Sequence, residues 1–353
     1  MPSWFPRSKL EWAYFGSTAT QAVVVTAIQV TVLVVYLQWV NSVVYQVPLA
    51  YVTPLTLGIT TLGAIYQLVL TLDAYRIKNN IQLFVQCVCN VCMSIATIMQ
   101  HGQIKEANAR ILINHDMYGT PFAKYDWRFW QHASPALLTC IVISCLCSTV
   151  MCGLSYGLHR EFSWNLYEQV SPDRKIRTRY FVYQVYLVIL KFTPFFIISF
   201  ILIYDIIDVH YINPEFSLTM AIIPAALIHV GLAVYFVRIE TRIGMIVVLL
   251  GHGAEIAYLV SRILVLHGTS MLANTLMKDE MVFFASVAVG FSAIAFLTGS
   301  LCFFNFGKGL KPIVLGQVQR KRRTDEFEND YHFQRLNHNV VTTPTEIRRF
   351  ELD

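Results

Sequence analysis

Lys191, His229, His252 and Glu255 are the residues of this chain best placed to do chemistry, because each stands inside a long apolar run. A charged side chain in hydrocarbon costs about 2.5–3.5 kcal/mol on insertion scales, so such groups turn inward and find partners or water. At about 1.5 Å per residue, Lys191 in the fifth apolar run and Glu255 in the seventh both come out ~18 Å deep, near mid-membrane. His252 lies one helical turn before Glu255 on the same face. His229, counted from the nearer end of the sixth run, comes out at ~13 Å. A carboxylate, an amine and two imidazoles at one depth suit proton-linked transport or substrate binding. They suit equally a Lys–Glu bridge with hydrogen-bonded histidines that fixes helix packing. Either way, Lys191 and Glu255 are expected to meet, directly or through His252.

Gln82, Gln86, Asn90 and Ser94 recur every four residues in the third run. That row stays on one side of a helix, drifting by ~40° per step. Lipid cannot satisfy amides, so the row faces other helices or lines a hydrophilic path. Pro194 and Pro224 fall at similar depth and can free carbonyls for partners. The eight cysteines all lie inside apolar runs, which implies no disulfide framework. Cys87, Cys89 and Cys92 lack the paired spacing with His that zinc sites show, and read as small core residues. His229, His252 and Glu255 offer three donors, but no metal and no cofactor is expected. The chain has no P-loop, dinucleotide fingerprint, nucleophile elbow or internal repeat, and it is not expected to be an enzyme.

The elements that must position these groups are membrane spans. Of 353 residues, 55% are hydrophobic and only 14% charged, far from the quarter that keeps soluble folds dissolved. The excess falls in runs of about twenty residues, the length that crosses ~30 Å of hydrocarbon as a helix. The expected spans are 16–40, 52–72, 81–99, 136–157, 181–203, 218–237, 243–266 and 281–304. The fold is therefore an all-α, polytopic bundle of about eight spans over residues 1–312. Arg7 and Lys9 precede a first run that extends to about Val40, too long for a signal-peptide core, so it reads as an anchor.

Lys and Arg near the span ends set orientation. One side holds Arg7, Lys9, Arg76, Lys78, Arg160, Arg174, Lys175, Arg177, Arg179, Arg238, Arg242, Lys308, Lys311 and Arg320 to Arg323, seventeen in all; the other holds Lys105, Arg110, Lys124, Arg128 and Lys278, five. Both termini are thus expected in the cytosol. Residues 100–135 read as one long exoplasmic loop whose Lys124–Trp130 cluster lies on the membrane surface. Arg262 is expected to snorkel to the exoplasmic headgroups. Cys302 is a palmitoylation candidate. The polar tail 313–353 lacks periodicity and is expected to be disordered. Its Arg320, Lys321, Arg322 and Arg323 sit where they would contact anionic lipid headgroups at the cytosolic face. The partner these features imply is the lipid bilayer rather than nucleic acid.

Three stretches carry a resemblance. They are Asp73-Ala-Tyr-Arg-Ile-Lys-Asn-Asn-Ile-Gln82, Arg160-Glu-Phe-Ser-Trp164 with the basic run to Tyr180 and Gln184, and Asn305-Phe-Gly-Lys-Gly-Leu-Lys-Pro312. In that order they resemble a family of fungal Golgi apparatus membrane proteins. The resemblance spans the membrane core and implies Golgi residence and membrane embedding; it carries no activity and no catalytic residue. Where that family has an acidic residue after Leu190-Lys191-Phe192, this chain has Thr193-Pro194, which leaves Lys191 without a local partner. The functional expectation is a Golgi-resident multi-pass protein of trafficking or structural type. The alternative is a carrier for a small solute, ion or lipid that uses the mid-membrane cluster.

Overall fold

The computed structural model describes residues 6, 8–77, 80–124, 128–169, 174–209, 211–268 and 275–308. The tail with Arg320 to Arg323, and Tyr125 to Trp127 of the aromatic cluster, lie outside them. Eight α-helices account for most of the described chain: α1 (Lys9–Trp39), α2 (Leu49–Ile77), α3 (Asn80–Ile113), α4 (Phe129–Gln169), α5 (Arg174–Ile203), α6 (Glu215–Ile239), α7 (Arg242–His267) and α8 (Lys278–Asn305). Every one is long and apolar enough to cross a membrane, the seventh included. The protein is a transmembrane helical bundle.

Local chemistry sets the ends. Ser8 and Glu11 form a reciprocal capping box at the start of α1, satisfying two N–H groups that no helical carbonyl reaches. Glu240, in the left-handed region at φ 58°, turns α6 sharply into α7. A π-helical turn, Tyr204–Val209, follows α5.

The long loop expected at residues 100–135 is mostly helix. The third helix runs on to Ile113, because Ile104, Ala107 and Ile111 continue a buried stripe at helical spacing. Glu106 and Arg110, four apart, form an ion pair on its exposed side. The connection that remains folds over the end of α1: Val40 and Ala123 form an isolated β-bridge, and Trp39 stacks on Phe129 at 5.1 Å.

Packing divides the bundle into two rings of four. In the first half α1 packs on α2 and α4, and α3 packs on the same two. In the second, α5 packs on α6 and α8, and α7 packs on the same two. Four spans bring the chain back to the face where it began, so the halves stand parallel, α1 and α5 entering from the same side. We call that side the N-face and the opposite one the far face. The halves meet along a thinner seam of α2 and α3 against α5 and α8.

The polar row on α3 holds the first half together. Gln82, Gln86, Asn90 and Ser94 are all buried. Gln86 donates to the Gln67 carbonyl of α2 at 3.0 Å, and Ser94 meets Ser148 of α4 at 2.9 Å. Asn90 exchanges reciprocal bonds with Gln21 of α1, at 2.8 and 3.1 Å. One turn and a half beyond the row, Gln100 does the same with Gln29, both at 3.1 Å. These bonds tie helix to helix. Replacing Asn90 with Leu should therefore lower the melting temperature of the detergent-solubilised protein. It strands the Gln21 amide at a cost of roughly 1–3 kcal/mol. Val91→Leu, on the half-exposed side of the same helix, should shift it by far less. Equal shifts would show that Asn90 makes no such bond.

Candidate functional site

The seam between the halves has three layers. At the far face, the start of α2, the end of α3 and the start of α8 border an open cavity of about 490 Å³. Gln103, Glu106, Arg110, Lys278 and Asp279 make its wall strongly polar, and its size is ordinary for a small-molecule site. Deeper in, aromatic rings close the seam. Tyr66 stacks on Phe195 at 5.7 Å and Phe196 on Phe291 at 5.4 Å, so α2, α5 and α8 interlock. Gly63 lets α2 approach: a Cβ there would stand 2.5 Å from Met93 Cε and 2.9 Å from Phe195 Cζ. Only a void of about 10 Å³ remains among Gly63, Tyr66, Met93 and Phe192, room for barely one water.

Lys191 lies below the rings, toward the N-face. Its ammonium forms an ion pair with Asp73 of α2 and donates to Gln82 Oε1 of α3 at 3.0 Å. Gln82 in turn donates to Asp73 Oδ2 at 3.1 Å and to the Leu70 carbonyl at 2.8 Å, closing a three-residue ring of bonds. Pro194 removes the N–H that would reach the carbonyl of Leu190. The Tyr66 hydroxyl donates to the next carbonyl, that of Lys191 itself. The triad joins the two halves electrostatically.

A second cluster sits wholly within the C-terminal half. His229 Nε2 of α6 stands 3.4 Å from His252 Nδ1 of α7, and that same Nδ1 is 3.7 Å from Glu255 Oε2. His252 is buried, with its Nε2 3.4 Å from the Tyr186 hydroxyl of α5. Ser292 of α8 donates to Glu255 Oε1.

The four mid-membrane residues therefore do not form one site. His229, His252 and Glu255 come together as their depths imply, but Lys191 pairs with Asp73 and Gln82 and not with Glu255. Depth fixes a residue's level and leaves its direction open. Lys191 points from α5 across the seam, while Glu255 points from α7 toward α8. With Thr193-Pro194 beside it, Lys191 has distant partners in place of a local one, 118 and 109 residues away in sequence. Arg262 donates to the Tyr204 hydroxyl at 3.0 Å and lies over the Tyr204 and Tyr258 rings. Cys302 is buried, away from any acylating enzyme.

Sequence reasoning missed Asp73, Ser292, Tyr186 and Asp205. Asp73 had a signal, since it opens the first of the three resemblance stretches. Asp205 lies in the π-helical turn just past the expected end of the fifth span, buried, and neither of its oxygens has a hydrogen-bond partner among the described residues.

The chain is 21% identical over 272 residues to a protein of Schizosaccharomyces pombe, covering 73% of this chain and 77% of that one. That relative is described as a UPF0658 Golgi apparatus membrane protein. The likeness upholds the family resemblance carried by the three stretches. It agrees with a multi-pass protein of the Golgi apparatus membrane, which is the location read from the sequence. No protein-family model matches the chain, and no solved structure does.

Proposed function

We propose that this Golgi membrane protein is a carrier, moving a small polar solute along the seam between its two halves without transforming it. The observation that supports this most is the order of layers. A polar cavity opens at one face, a half-buried ion pair that also spans the seam lies toward the other, and packed aromatic rings separate them. Rocking of two parallel halves about such a seam is how many carriers alternate access. The excess of Lys and Arg on the N-face supports a cytosolic N-face, and in that orientation the cavity faces the Golgi lumen.

Accessibility of the seam tests the proposal. Val52→Cys sits in the cavity wall and Phe192→Cys beside the void beneath the rings. In sealed Golgi vesicles a membrane-impermeant maleimide added outside should label Phe192→Cys in a fraction of molecules. Val52→Cys should be labelled only after permeabilisation. A scaffold whose halves never part would leave Phe192→Cys unlabelled from both sides while Val52→Cys reacts, and the carrier reading would then be wrong. Labelling of Val52→Cys in sealed vesicles would reverse the orientation.

A further inference from the structure

We propose that His229, His252 and Glu255 form an intramembrane binding site for a divalent transition-metal ion, with zinc the best match. This stands whether or not the seam carries a solute.

Two of the three donor separations are near those of a metal site. One ligand atom from each residue can be chosen so that all three lie within 4.8 Å of one another. Zinc holds nitrogen and oxygen donors at about 2.0–2.1 Å in a tetrahedron, whose edges are then ~3.3 Å. The 3.4 Å between the imidazole nitrogens and the 3.7 Å from His252 Nδ1 to Glu255 Oε2 are close to such edges. As a hydrogen bond between two imidazoles, 3.4 Å is long. A single nitrogen, His252 Nδ1, faces both other donors, so an ion bound beside it would be within reach of all three.

The surrounding groups orient the donors. In the tautomer whose Nε2–H donates to the Tyr186 hydroxyl, His252 presents a bare Nδ1 to the other two ligands. Ser292 holds one oxygen of Glu255 and leaves Oε2 toward the histidines. Gly251 makes room for His229: a Cβ there would overlap His229 Cε1, so any larger residue pushes the imidazole out of the site. His252 lies ten residues beyond Arg242, about 15 Å into α7, where lipid offers the donors no alternative partner. Two imidazoles and one carboxylate favour zinc or its neighbours in the first transition row over magnesium or calcium, which prefer oxygen cages. Three protein ligands leave a fourth position for water or another small ligand.

The test uses full-length protein with a non-histidine tag, purified in detergent, stripped by chelation, reloaded with zinc and washed. Mass spectrometry should then find one zinc per chain, and Co²⁺ in its place should give the intense visible bands of four-coordinate cobalt. His229→Gln and Glu255→Gln should abolish retention. Gly251→Ala and Ser292→Ala keep all three donors and should weaken binding by about 10- to 100-fold. His132→Gln removes an exposed histidine of α4 and should change nothing. Wild-type protein that retains no zinc and gives no four-coordinate cobalt spectrum overturns the site, whatever the variants do. Retention unchanged in both His229→Gln and Glu255→Gln overturns it too, since the metal would then sit on surface groups.

Discussion

Replacing Lys191 with Met is expected to destabilise the detergent-solubilised protein by about 2–4 kcal/mol, because the Asp73 carboxylate is left inside the seam without its cation. Breaking a fully buried pair costs roughly 3–5 kcal/mol, and this one is discounted because each side chain keeps 30% of its exposure. Asp73→Asn should cost a comparable amount by stranding the ammonium. The double variant should recover most of the loss, since two neutral side chains strand nothing and Gln82 can bond to the amide introduced on α2. A thermal-denaturation double-mutant cycle measures this directly. The same cycle run on Lys191→Met with Glu255→Gln should give additive losses, because those residues have separate partners. Coupling between Lys191 and Glu255, with none between Lys191 and Asp73, would refute the arrangement. If the carrier reading holds, the Lys191/Asp73 double variant should also be stable yet fail to function in cells.

Asp205→Leu should do the opposite and stabilise the protein. The carboxylate is buried and neither oxygen has a partner among the described residues, so its removal should relieve a desolvation cost of roughly 1–3 kcal/mol. A rise in melting temperature with loss of cellular function would mark Asp205 as a group retained for what it does. Its place in a π-helical turn, a local distortion that often accompanies function, points the same way. A fall in melting temperature would mean that Asp205 has a stabilising partner, and the assignment would fail.

The spans were legible because hydrocarbon demands about twenty apolar residues whatever the fold, and all eight stand where the runs lie. The inward side of α3 was legible for a similar reason: lipid cannot bond to Gln82, Gln86, Asn90 or Ser94. The extension of α3 to Ile113 was hidden by its charges, although Ile104, Ala107 and Ile111 already carried the helical stripe. The partner of Lys191 was out of reach for a deeper reason. Choosing between Asp73 and Glu255 requires knowing that α5 borders α2 and α3 across the seam, and no span's own sequence encodes its neighbours. His252 and Glu255 share one helix face and so could be grouped from spacing alone. Bringing His229 to them depends on the tight α6–α7 turn and on Gly251, whose importance rests on a neighbour's ring.

The reciprocal amide bonds between α1 and α3 bear on how the chain is made. Gln21 and Gln29 leave the ribosome before the residues that satisfy them, which follow 69 and 71 positions later. At about 5–20 residues per second, α1 waits roughly 4–14 s for Asn90 and Gln100 to appear. Throughout that interval it carries two unpaired amides that lipid cannot solvate. Release into the bilayer as a lone helix is therefore unfavourable, and α1 should stay beside the insertion machinery until α3 arrives. The first half of the protein would then enter the membrane as an assembled group rather than one helix at a time.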